Sequence, residues 1–190
     1  MPVIELHLIE GYDIDTKTRL GRGLTDAVRA VLPADPDAVT VLTHEVSAAG
    51  YMRGGQNRSP APALPDPVKT VRDFLRAMEA RDLDRAAGFL AEGFEMTFPG
   101  GVRMTRLEEL IAWSKPRYAG IAKTYTGFDT AMTDGSPVVI CRGTLAGAWP
   151  GGTAFEGIRF VDRFELRAGK LWRQEVWNDM GEARLGEAQS

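Results

Sequence analysis

Pro2-Val3-Ile4-Glu5-Leu6-His7-Leu8-Ile9-Glu10-Gly11 is the stretch on which the fold of the first part of the chain turns. It alternates as a strand does, with Pro2, Ile4, Leu6 and Leu8 on one side and Val3, Glu5, His7 and Ile9 on the other. Asp13-Ile14-Asp15-Thr16 then offers helix-capping side chains. Leu20, Leu24, Ala27, Val28 and Val31 recur at helical spacing, which predicts a helix over residues 16–32. Pro33-Ala34-Asp35-Pro36 stops it, and residues 39–46 read as a second strand. Gly50-Tyr51-Met52-Arg53-Gly54-Gly55 closes this β-α-β unit as a turn-rich segment holding an aromatic and a cation.

Pro2 stands directly behind Met1, and methionine aminopeptidase generally removes Met1 before a small residue such as proline. Removal leaves a secondary amine at the head of a strand. An α-amino group starts near pKa ~8, and burial beside cations favours its neutral form. A neutral prolyl nitrogen is a general base, and towards carbonyls it is a nucleophile. Taken alone, Met-Pro is equally explained by start-codon context.

Pro2, Leu6-His7-Leu8-Ile9-Glu10-Gly11 and the Gly54-Gly55 pair, at their fixed spacing, resemble the 4-oxalocrotonate tautomerase family over residues 2 to about 58. The resemblance implies a prolyl-amine enzyme acting on a small carbonyl or enol substrate, with Tyr51 as the aromatic beside the amine. It also implies assembly of several copies. The family's two substrate-binding arginines fall on Tyr12 and Thr40, so neither is kept. An arginine matters there because its fork holds a carboxylate and its charge lowers the amine pKa. Arg53 is the nearest replacement cation, and it reads equally as a solvated loop arginine. Dicarboxylate tautomerisation of the parent type is therefore not expected.

The chain holds two histidines. His7 lies on the first strand, and His44 shares a face of the second with Thr40 and Leu42, from which it can orient substrate or a water. Each also reads as an ordinary hydrogen-bonded strand residue. No group of His, Cys or carboxylates has metal-ligand spacing along the sequence, so no metal or cofactor is expected.

Of 190 residues, 23 are Lys or Arg and 26 Asp or Glu, for a net charge of −3, and no basic run speaks for nucleic acid. Apolar runs such as Val138-Val139-Ile140-Cys141 are far too short to span a membrane, and no signal peptide precedes Pro2. A single cysteine, Cys141, excludes an internal disulfide and suits a cytoplasmic location. A β-α-β unit this small cannot bury enough surface alone, so a homo-oligomer is expected, a hexamer or a dimer.

Residues 59–67 form a Pro-rich linker between a first domain, residues 1–58, and a second, residues 68–181, with a tail over 182–190. Past the linker, Val68, Val71, Leu75 and Met78 recur at helical spacing behind Asp66-Pro67. A short helix, a strand at 94–98 and a helix at 106–115 follow. Strands are then expected at 125–131, 138–147, 154–166 and 171–178. This order, with Ala80-Arg81-Asp82-Leu83-Asp84, Phe160-Val161-Asp162-Arg163-Phe164-Glu165-Leu166 and Trp177-Asn178-Asp179, resembles the nuclear-transport-factor-like superfamily and its SnoaL-type members. The expected class is thus α+β: a β-α-β unit, then a cone-shaped barrel with a curved, mainly antiparallel sheet.

The resemblance extends to ketosteroid isomerase, whose general-base aspartate falls on Phe98 and whose oxyanion tyrosine falls on Phe74. The partner acid is kept as Asp162, so steroid isomerisation is not expected. Asp162 reads either as a pocket acid or as a strand carboxylate paired with Arg142, Arg159 or Arg173. Phe74, Phe98, Trp113, Trp177 and Asp179 join it as candidates for a second, apolar pocket. Three functions follow: Pro2 catalysis, an apolar-ligand pocket, or a cyclase- or hydrolase-like activity through Asp162 or Asp179.

Overall fold

The computed structural model describes residues 1–187, and the last three residues of the expected tail lie outside the described residues. The chain divides between Ala63 and Leu64, inside the Pro-rich stretch, into two compact units.

In the first unit, β1 (Val3–Ile9) and β2 (Thr40–Val46) pair in parallel, joined by α1 (Ile14–Arg29). The helix starts two residues earlier than the sequence predicts, because the cap is Asp13, whose carboxylate accepts from the Thr16 N–H at 2.7 Å. Lys17 on α1 reaches Glu45 on β2 at 2.9 Å, so the helix covers the sheet face of Glu45 and of the half-buried Ile4, Leu6, Leu8 and Val41. The opposite face, with Val3, Glu5, His7, Leu42 and His44, is open to solvent. A short hairpin of β3 (Met52–Arg53) and β4 (Gln56–Asn57) turns through Gly54 and Gly55, both at positive φ. None of residues 1–63 is fully buried, because two strands and one helix enclose no interior.

The second unit opens with α2 (Pro67–Glu79), capped by Asp66, which accepts from the Lys69 N–H at 3.0 Å. Pro67, at the end of the linker and expected in the first turn behind the Asp66 cap, is its first helical residue, where a missing N–H is harmless. This helix buries Val71, Phe74, Leu75 and Ala77. After α3 (Leu83–Ala87) come β5 (Leu90–Phe98), β6 (Val102–Met104), α4 (Leu107–Ser114), β7 (Gly120–Thr133), β8 (Ser136–Ala148), β9 (Ala154–Arg167), β10 (Lys170–Asn178) and α5 (Met180–Glu187). The tail expected from residue 182 is therefore helical as far as Glu187.

The six strands lie in the order β6-β5-β10-β9-β8-β7, antiparallel except where β10 meets β5. The sheet stays open, with β6 and β7 at its edges, so it is curved without closing as a barrel. Register shifts at Tyr125/Gly127 and Leu145/Gly147 help to bend it. Glycine is required where the strands come closest: a Cβ on Gly143 would stand 1.9 Å from the Thr124 carbonyl oxygen. The inner face packs Met96, Phe164, Leu166 and Leu171 against Phe74 of α2, whose ring meets Phe164 edge-on at 6.0 Å.

Candidate functional site

Pro2 heads β1, and its carbonyl accepts from the Thr40 N–H at 3.0 Å. That bond fixes Pro2 against the start of β2, with Thr40 half-buried beside it. Met1 precedes it and is 90% exposed. Tyr51 is half-buried ahead of the β3–β4 hairpin, and Arg53 is exposed on it. Tyr12 lies with Gly11, Asp13 and Pro60 along a groove of about 260 Å³. No hydrogen bond or ion pair among the described residues joins Pro2 to Tyr51 or Arg53.

His44 is exposed, and the parallel register sets it directly opposite His7. The two rings stack, with centroids 4.8 Å apart and planes 17° from parallel. Glu5, two residues before His7 on the same face, brings its carboxylate to 3.9 Å from His7 Nε2. Residues whose sequence spacing suggested no ligand set are thereby gathered into one, because the strand register, which sequence spacing does not contain, juxtaposes them.

In the second unit, the inward positions of β9 are Phe160, Asp162, Phe164 and Leu166, alternating with Val161, Arg163, Glu165 and Arg167. Asp162 is 0% exposed. Its partner is none of the three expected arginines. Arg142 pairs with Asp129, Arg159 with Asp179 at 2.6 Å, and Arg173 with Glu95 at 2.8 Å. Asp162 Oδ2 instead accepts from Lys123 Nζ, which reaches in from β7 and also sits 4.4 Å over the Phe160 ring. Burial pushes the Asp162 carboxyl above its usual range, against the opposing pull of the Lys123 ammonium.

This pair borders a pocket of about 420 Å³ whose wall includes Phe98, Trp113, Ile121, Leu145 and Phe160. Lys123, Phe98, Tyr118 and Ile121 also wall a smaller pocket of about 130 Å³, which holds Phe74, Tyr125 and Gln174. Helix α5 contributes Met180, Gly181, Glu182 and Arg184 to the larger one. Trp113 Nε1, Tyr125 OH, Asp162 Oδ1 and Gln174 Oε1 are all buried without a hydrogen-bond partner. Burial holds the Tyr125 hydroxyl proton far above the usual phenol range. It pushes the Cys141 thiol up to about 12, which leaves a packing residue and no nucleophile at neutral pH.

Two expected pocket residues lie elsewhere. On β10 the inward residues are Gln174 and Val176, so Trp177 points outward, 52% exposed. Asp179 follows β10 and is held by Arg159; Asn178 lines the pocket in its place. Lys123, Tyr125, Gln174 and α5 were not anticipated. The signal for the first two was the alternation Ile121-Ala122-Lys123-Thr124-Tyr125, which carries a lysine on an otherwise inward face.

Residues 2–58 match the tautomerase enzyme family, and residues 71–174 match the SnoaL-like domain family. A probable tautomerase of Ralstonia nicotianae is 38% identical over 65 residues, which cover 34% of this chain and 93% of that protein. An NTF2-like protein of Burkholderia pseudomallei is similar in structure, with a TM-score of 0.54 at 20% identity over 62% of this chain and 93% of the other. An NTF2-like protein of Burkholderia thailandensis gives 0.53 at 19% identity over 67% and 99%. TerC, co-crystallised with polyporic acid, gives 0.54 at 19% over 62% and 95%. At these identities the structural likenesses establish the fold of the second unit.

Proposed function

From a chain that belongs to the tautomerase family through residues 2–58 and to the SnoaL-like family through residues 71–174, we propose a tautomerase-type enzyme working through the Pro2 amine. With Met1 removed, the prolyl nitrogen takes the enol O–H proton of a small substrate. The resulting prolyl ammonium returns a proton to carbon, giving the carbonyl form. The observation that carries this reading is the Pro2–Thr40 hydrogen bond, which holds the nitrogen-bearing residue in a fixed register. Arg53 supplies the cation for a substrate carboxylate, Tyr51 takes the role of the family's aromatic, and Thr40, Tyr12 and His44 offer further contacts. The first unit works as a homo-oligomer, a hexamer or a dimer, since one chain fully buries none of its residues. Intact mass tests the premise, because a retained Met1 eliminates the amine. Ketonisation of phenylenolpyruvate by the processed protein tests the activity.

A second reading is favoured by four buried atoms without a hydrogen-bond partner among the described residues, all of which belong to residues lining the two pockets of the second unit described above. Buried polar groups left unpaired each cost about 1–3 kcal/mol, and a bound molecule that satisfies them recovers that cost. Trp113 Nε1 can only donate, while Asp162 Oδ1 and Gln174 Oε1 accept. The fitting ligand therefore has an apolar body carrying both acceptor and donor oxygens, and Arg117 and Arg184, set against Glu182, favour an anionic one. An anilinonaphthalene sulfonate dye should bind, with a rise in its fluorescence. Asp162→Asn should alter that affinity several-fold and leave phenylenolpyruvate ketonisation unchanged, since Pro2 lies in the other unit. No dye binding to the wild type, or a tautomerase rate that falls with Asp162→Asn, would remove this second site.

A further inference from the structure

We infer that Glu5, His7 and His44 form a binding site for a divalent transition-metal ion of the zinc type on the open sheet face of the first unit. The chain has two histidines, separated by 36 intervening positions in sequence, and both are spent here. They stack in register across the parallel pair, and the ligand atoms of the three side chains all lie within 4.8 Å of one another. Neither imidazole makes a hydrogen bond among the described residues, so their nitrogen lone pairs are uncommitted. The donor set, two imidazoles and one carboxylate, suits a borderline ion such as Zn²⁺ and leaves a position for water or a substrate oxygen.

Binding requires the two stacked rings to turn, because each imidazole lone pair lies in its ring plane and near-parallel planes do not converge on one ion. Zn–N bonds of about 2.0–2.1 Å in a tetrahedron place donor atoms about 3.4 Å apart, so the three side chains close by an ångström or so. Rotation about exposed side-chain bonds achieves that while the backbone ladder stays fixed. Because the strands are already paired, binding orders a few side-chain torsions and no backbone, which keeps its entropic cost low. All three residues belong to the first unit, and of the groups proposed for the Pro2 mechanism the site shares only His44.

The test uses the full-length protein without a histidine tag, stripped with a chelator and titrated with Zn²⁺ in a calorimeter. One ion per chain is expected. Co²⁺ in its place should give the visible absorption of a low-coordinate nitrogen–oxygen site, a signal that a purely structural role would not produce. His7→Asn, an exposed strand substitution outside the proposed substrate contacts, should abolish the cobalt spectrum, and Glu5→Gln should weaken binding roughly tenfold or more. Phenylenolpyruvate ketonisation serves as a separate readout, so loss of metal binding and loss of tautomerase activity are distinguishable. Absence of Zn²⁺ uptake by the wild type, or unchanged uptake by His7→Asn, overturns the proposal.

Discussion

Lys123→Met will destabilise the second unit by about 3 kcal/mol at neutral pH. Removing one partner of a buried ion pair leaves the other charge uncompensated, which costs about 3–5 kcal/mol. The lower end applies because the Lys123 side chain is itself 21% exposed, so solvent screens part of the pair. For a unit of this size the midpoint of thermal unfolding should drop by about 10 °C. The dependence on pH has a definite sign. Burial raises the Asp162 carboxyl from its ordinary 3.8, so the folded state holds this proton more tightly than the unfolded chain does. Stability from that proton is fully present below the ordinary value and is lost as pH rises through the folded one. Lys123 offsets the loss in the wild type. The gap between Lys123→Met and wild type should therefore narrow as pH falls from neutrality, because the stranded carboxylate becomes protonated. Midpoints measured by circular dichroism across that range decide it, and a gap that stays constant or widens on acidification excludes an uncompensated Asp162.

Pro2→Ala will lower kcat/KM for phenylenolpyruvate by about a hundredfold. A positioned general base contributes about 10²–10⁴-fold, and the lower end applies because alanine after Met1 removal still presents a primary amine. Far-ultraviolet circular dichroism should be unchanged, since Pro2 precedes β1 and its backbone bond to Thr40 runs through a carbonyl that alanine also has. The loss should fall mainly on kcat, as proton transfer is made in the transition state and not on binding. Equal rates for the two proteins would end the case for the amine as catalyst.

The residues that locate these effects differ in how far the sequence revealed them. Asp162 was legible as an inward carboxyl because Phe160, Phe164 and Leu166 share its phase. Its partner was not. The strand carrying Lys123 was expected to begin at residue 125, since Pro116 and Gly120 mask its start, so Lys123 fell outside it. The arginines expected beside Asp162 each found a nearer carboxylate. Gly181 and Gly186 similarly disguised α5 as a tail, although it packs its Ala183 N–H onto the Asp179 carbonyl at 3.0 Å as a helix should. Trp177 and Asp179 were grouped with Asn178 as one motif, whereas strand alternation turns Trp177 outward and Asn178 inward, and Asp179 lies past the strand end, held by Arg159. His7 and His44 were each placed on the correct strand. Their meeting depends on the offset between β1 and β2, which the long connection through α1 sets and no local pattern encodes.

The lack of any fully buried residue in the first 63 positions bears on how this chain responds to dilution. In the homo-oligomer proposed above, the first unit completes its interior by docking on further copies, so its stability follows mass action: it gains with protein concentration and loses as copies separate. The second unit, whose core closes within one chain, carries no such dependence. One polypeptide thus joins a concentration-dependent element to a concentration-independent one. On dilution of the proposed assembly, the tautomerase half is expected to loosen first, while the SnoaL-like half keeps its pocket.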